Sequence, residues 1–362
     1  MNLLIVGASA RAAAYSALRA GMTPFAADFY SDRDLKAVAT CMRLDLESKV
    51  SHPFESFPSC PWIYTGPLEN HPDFLEVVCR KRTLWGIKGA SLSHVRDPDQ
   101  VSVALRFAGL KTPAHRDVQS GDVTADGTWL LKPLLSAGGI GTERLSSTSN
   151  RSGPHYAQQY IPGLSLSAVF IADRDTATLA GITRQLIGVP GGEFVYRGSI
   201  GPWPVAVDVM DELILAGNEL AIRFGLVGLF GIDFILDEVN QIWPVEINPR
   251  YTASVEVLEL SQNRSLLDLH RRACLGEPFD AAMVEPSRYI AKEVRFATQD
   301  GIFFDDDAQV AIDPWSVPEI ADIPDSGTRY KRGEPVLTIF AESKTLEGCQ
   351  RELERERNLW DF

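Results

Sequence analysis

Apolar positions recur along this chain in two rhythms, and the alternation between them outlines the fold. Short runs at 2–6 and 24–27 read as strands, and the alanine-rich stretch 12–19 between them, closed by Gly21, reads as a helix. From 33 to 92 the pattern weakens through a proline-rich connection (Pro53, Pro58, Pro61), with a strand at 62–65 and a helix at 73–80. Asp97-Pro98-Asp99 caps a helix over 100–108 that Gly109 ends. Strands at 166–172 and 179–187 precede a glycine-rich stretch, 190–204, expected to be a loop that closes over a substrate. Val209, Leu213, Ala216, Leu220 and Phe224 then fall on one face of a long core helix ended by Gly225. Beyond a helix at 266–274 come strands at 289–297, 301–304 and 336–341, then a charged surface helix at 345–359.

The most informative runs are 230–236 and 242–247, a predicted β-hairpin whose second strand carries Pro244 and so faces an open edge. A turn at 238–241 pairs Asp237 with Ile242 and sets Asp233 across from Glu246. Period two then places Asp233, Glu246 and Asn248 on one face, with Phe234, Leu236, Val245 and Ile247 on the other. Facing carboxylates repel, so a cation belongs between them. Two carboxylates and an amide oxygen suit Mg²⁺, which takes its remaining ligands from water and phosphates. Arg250 follows two residues later as a fixed donor to the same pocket.

Composition narrows the classes. A chain of 362 residues implies two or three domains, and its net charge of −13 argues against general nucleic-acid binding. The apolar run 3–6 is far too short for a signal peptide or a membrane span, so a cytoplasmic, non-membrane protein is expected. Five scattered cysteines without a CxxC pair indicate neither a disulfide framework nor a zinc site. The first turn, Gly7-Ala8-Ser9-Ala10-Arg11, is expected to present free N–H groups to an anion; without the second and third glycines of a dinucleotide fingerprint, and with only Asp28 at the ribose-acid distance, it is a weak NAD signal. Glu69, Asn70 and His71 lie where a strand end meets a helix, which either a ligand contact or a helix cap explains.

A second glycine-rich stretch carries chemistry. A short strand delivers Lys132, and Ser136, Gly138, Gly139 and Gly141 follow in a loop that can fold its backbone around a phosphate. Together with the later Asp233-(12)-Glu246-x-Asn248-x-Arg250, this resembles the ATP-grasp superfamily, which includes biotin carboxylase, D-alanine ligase and carbamoyl-phosphate synthetase. The resemblance implies ATP as cosubstrate, with Lys132 and the loop on its phosphates, Gln158, Gln159 and Ile161 beside adenine, and Mg²⁺, or Mn²⁺ in its place, on Asp233, Glu246 and Asn248. Arg184, Arg197 and Ser199 are weaker substrate candidates. Two departures stand out: no lysine opens the helix after Arg96, which could reach in but whose register the sequence does not fix and which is left out of the expected site, and Ser165 replaces the customary ribose acid.

The implied fold is α/β and α+β multidomain: a Rossmann-like pre-ATP-grasp domain at 1–95, an ATP-grasp domain at 96–280 (small lobe about 111–160, large lobe about 161–280), and a β-rich C-terminal extension at 281–362 with its terminal helix. The implied activity is a carboxylate-amine ligase in which Lys132 and Arg250 assist phosphorylation of a carboxylate and its coupling to an amine. A narrower likeness is to the tyramine-glutamate ligase type that builds one-carbon carrier cofactors. The alternatives are activation of bicarbonate and a non-catalytic nucleotide-binding protein. The expected partners are small-molecule carboxylate and amine substrates, with a homodimer as the one macromolecular assembly.

Overall fold

A computed structural model describes residues 1–46, 54–118, 123–147, 149, 153–360 and 362; Pro53 of the proline-rich connection lies outside them. The opening rhythm becomes a parallel four-stranded sheet in the order Thr40–Arg43, Thr23–Asp28, Asn2–Val6, Trp62–Tyr64. The helix Arg11–Arg19 buries Ala13, Ala14 and Ala17, small residues that allow a close approach to the strands. A second four-stranded sheet runs His115–Asp117, His155–Gln159, Trp129–Pro133, Glu143–Arg144.

The third sheet has eight strands, in the order Ile242–Asn248, Val227–Leu236, Leu164–Asp173, Ala177–Val189, Gly192–Gly201, Tyr289–Phe296, Pro335–Ser343, Ile320–Ala321. One face packs Phe170, Phe230, Ile232 and Phe234 under the helix Val207–Phe224, whose predicted apolar stripe is buried as the periodicity requires. The Phe170 and Phe230 rings stack at 5.1 Å. On the opposite face, Val169, Ile171 and Leu229 lie with residues of the helices Ala253–Gln262 and Leu266–Leu275 in a second core. Ser167 and Asp233 alternate onto that second face, paired directly across neighbouring strands.

Two expectations are corrected. The stretch 190–204 holds the strand Gly192–Gly201, which joins the C-terminal extension to the large sheet. Its glycines serve close packing: a Cβ on Gly198 would lie 2.2 Å from the Lys292 carbonyl oxygen. The first turn is no anion nest either, because Gly7 N donates to Ala27 O, Ala8 N to Gly66 O and Ala10 N to Asp28 Oδ2. Asp28, at the ribose-acid position, is spent on this turn and on the Tyr30 and Ser31 N–H groups.

Buried ion pairs tie the extension to the N-terminal sheet. Arg11 pairs with Glu256 and with Asp322 (3.1 Å), while Lys292 reaches Glu256 at 2.9 Å. Burial pushes the Glu256 carboxyl up, yet Arg11 and Lys292 outweigh it and hold the group well below the usual carboxylate range. Replacing Arg11 by Met leaves Asp322 and Asp34 without their guanidinium. Breaking a buried pair in this way costs about 3–5 kcal/mol, so urea unfolding should show Arg11→Met destabilised by that order.

Candidate active site

The acidic hairpin sets the geometry. Leu236 pairs with Ile242, one residue off the expected Asp237–Ile242 register, but Phe234 then faces Pro244 while Asp233 faces Glu246. The register shift leaves Val245 as an extra residue, a β-bulge that returns Asp233 to its expected partner. Ser167 Oγ donates to Asp233 Oδ1 at 2.6 Å and Asn248 Nδ2 to Asp233 Oδ2 at 2.9 Å. Burial, and next the charge of Glu246, push the Asp233 carboxyl up to about 6. Asn248 turns its oxygen to Arg250 Nη2 at 3.2 Å.

Across a cleft of about 550 Å³ stands the small sheet, with Lys132, Tyr156 and Gln158 facing Asp233, Glu246 and Asn248. Lys132 Nζ donates to Gln158 Oε1 and to the Val245 carbonyl, each at 3.2 Å. Burial works against its charge, but Tyr156, Glu246 and Asp233 raise its pKa above the ordinary lysine value. Gln158 is only 2% exposed, and its amide is consumed by Lys132, His115 and Val245. Gln159 and Ile161 also border the cleft.

The glycine loop closes one side. Gly138 and Gly139 have φ of +62° and +74°, the left-handed region that favours glycine, and a Cβ on Gly139 would lie 2.0 Å from the Phe194 carbonyl oxygen. Tyr196 N donates to Gly138 O, and Ser136 O accepts from Asn70 and Arg96. Gly141 sits back against Pro133, 3.0 Å from where its Cβ would stand, and does not line the cleft.

Arg96 is the residue that sequence reasoning left out. It ends the helix Gly89–Val95, reaches Glu246 Oε1 at 3.2 Å with Nη1, and gives Nη2 to Asn70 Oδ1 at 2.8 Å and to loop carbonyls. A usable signal existed: Arg96 is the only lysine or arginine between Lys88 and Arg106. Arg250 pairs with Glu69 Oε1 at 2.7 Å, so the ambiguous Glu69 lies behind the cleft wall as the partner of Arg250. Among the described residues, Glu69 Oε2 and Thr252 Oγ1 are buried without a hydrogen-bond partner, and Thr252 lines the cleft at the start of the helix Ala253–Gln262. Arg184 and Arg197 border the cleft, but their guanidiniums are engaged elsewhere, on the Trp203 ring at 5.2 Å and on Glu293 at 3.0 Å. Ser199 bonds Tyr196.

Among the described residues no three His, Cys, Asp or Glu side chains gather to hold a metal alone. Two facing carboxylates with an amide beside them fit a hard divalent ion that draws its other ligands from water or a bound phosphate. The donor set therefore suits a metal carried in with an anionic ligand.

Residues 99–254 match the family of ATP-grasp domains. A stretch of 220 residues, 59% of the chain, is 28% identical to an uncharacterized protein of Methanocaldococcus jannaschii and spans 51% of it, about half that relative's length. The fold is similar to the biotin carboxylase domain of Hydrogenobacter thermophilus 2-oxoglutarate carboxylase, solved with MgADP, ADP and bicarbonate (TM-score 0.76, 12% identity, 99% of this chain and 90% of that one). It is similar also to an L-amino acid ligase from Bacillus licheniformis (TM-score 0.74, 15% identity, 99% and 97%).

With the Asp233 carboxyl pushed up to about 6 by burial and by Glu246, protons compete with a divalent ion below that pH. Mn²⁺ affinity, measured by electron paramagnetic resonance with a nucleotide present, should fall as pH drops through about 6. Asp233→Asn should weaken binding at least ~10-fold and flatten this dependence.

Proposed function

From the ATP-grasp domain matched at residues 99–254, we propose that the chain is an ATP-dependent ligase joining a carboxylate to an amine. One observation carries the reading. A carboxylate pair suited to Mg²⁺, Asp233 with Glu246, faces Lys132 across the cleft, and Arg96 reaches from the N-terminal side to Glu246. When bound there with ATP, Mg²⁺ would neutralise phosphate charge and orient the γ-phosphoryl group. Lys132, the loop from Ser136 to Gly139 and Arg96 would then hold the phosphates from the other walls, and Asp233, Glu246 and Asn248 would hold the metal.

Arg250 supports a carboxylate as acceptor. Its guanidinium lies beside Asn248, and Thr252 borders the same cleft at a helix N-terminus, where an anion is favoured. A carboxylate oxygen held there attacks the γ-phosphorus, the bond to the ADP oxygen breaks, and an acylphosphate results. The amine nitrogen then adds to the acyl carbon, phosphate leaves with the electron pair of its C–O bond, and the amine gives up a proton as the amide forms. Positioning and fixed charges supply most of the acceleration in such a transfer.

A bicarbonate acceptor is the second reading, since Arg250 and the helix N-terminus suit any small carboxylate-like anion. The test is an ADP-release screen across carboxylates paired with amines, and bicarbonate alone. The expected outcome is release that needs both a carboxylate and an amine, lowered at least ~100-fold by Asp233→Ala or Glu246→Ala. Release with bicarbonate alone would favour the second reading. ATP binding without turnover under any acceptor would refute both.

A further inference from the structure

A chain of hydrogen bonds runs along the cleft wall from a helix of the N-terminal half to Lys132. Ser102 Oγ lies 3.1 Å from His115 Nδ1, and His115 Nε2 lies 3.0 Å from Gln158 Nε2. Gln158 Oε1 accepts from Lys132 Nζ at 3.2 Å. Ser102, His115, Gln158, Lys132 and Val245 all line the cleft. Resting on the nucleotide reading above, we propose that His115 is a positioning residue for ATP, acting through Gln158 on the ammonium of Lys132.

The direction of every bond follows from chemistry. An ammonium has donors and no acceptor, so Gln158 must turn its oxygen to Lys132. Its NH₂ group then points to His115 Nε2 and to the Val245 carbonyl at 3.4 Å. His115 Nε2 is therefore an acceptor, the ring is neutral, and Nδ1–H donates to Ser102 Oγ. Burial and then the Lys132 charge push the His115 pKa down to about 4, which keeps the ring neutral above that pH.

A flipped Gln158 would set NH₂ against Lys132 and oxygen against the Val245 oxygen. His115 supplies the shorter of the two acceptor contacts that oppose this flip. Without it, one N–H of a buried amide lacks a partner, and the carbonyl that steadies Lys132 is less well held. The strands add to the effect, since His115 and Gln158 are direct cross-strand partners. The relay thus acts on a charge that must meet the phosphates at a set place.

The test is ATP binding to the full chain by isothermal titration calorimetry. His115→Phe should weaken ATP about ten-fold, and His115→Gln, whose oxygen can replace Nε2, should recover most of the loss. A carboxylate at 158 has two equivalent oxygens and needs no neighbour to orient it. In a Gln158→Glu background, His115→Phe should therefore change ATP affinity by less than ~2-fold. Imidazole ¹⁵N NMR of the unaltered chain should show the Nδ1–H tautomer, neutral at pH 6. An equal loss in both backgrounds, or none in either, overturns the relay while the nucleotide reading stands. If the unaltered chain binds no ATP, the nucleotide reading falls and the relay with it.

Discussion

Asp233 and Glu246 face each other across neighbouring strands, and the architecture of the cleft answers the repulsion between them. Burial raises the cost of that pairing, as the upward shift of Asp233 reports. Positive groups are drawn in from separate parts of the chain. Lys132 comes from the small sheet, Arg96 from the end of a helix in the N-terminal half, and Arg250 from just beyond the hairpin. None neutralises the pair outright, since Lys132 bonds a carbonyl and an amide, Arg96 reaches Glu246 alone, and Arg250 is shared with Glu69. The remaining negative charge is what a divalent ion with a phosphorylated ligand would meet.

That charge balance needs a rigid frame, which the eight-stranded sheet and its two helical layers provide. Phe170, Phe230 and Phe234 under the helix Val207–Phe224 hold the strand that carries Asp233. The bulge at Val245 follows Pro244, and pairing resumes at Glu246 opposite Asp233. It also leaves the Val245 carbonyl to accept from Lys132 and Gln158, so one backbone irregularity serves both walls. On the far side, Glu256 gathers Arg11 and Lys292, so a helix that starts at the cleft is anchored by the N-terminal sheet and the C-terminal extension together.

Local pattern made much of this legible. The 3.6-residue stripe from Val209 to Phe224 and the two-residue alternation around Asp233 were readable because each depends on neighbours close in sequence. The facing of Asp233 and Glu246 was legible although the turn register was one residue off, because the bulge offset the error. The strand Gly192–Gly201 was not: its glycines imply a loop by propensity, and only the approach of Lys292, far along the chain, explains why they are needed in a strand. The ambiguity of Glu69 had the same origin. A polar residue after a strand looks like a helix cap until Arg250, 181 positions away, is placed beside it.

The sequence by itself determined the long core helix, the acidic hairpin, and Lys132 with Gly138 and Gly139 across from it, since periodicity and turn chemistry are local constraints. Tertiary structure alone decided that Arg96 serves Glu246, that Arg184 and Arg197 turn to other partners, that Gln158 is spent on Lys132 and His115, and that the extension continues the large sheet. The reason is physical: where a long charged or amide side chain points depends on which opposite charge or unpaired group lies within a few ångströms. Folding sets that separation, and spacing along the chain does not.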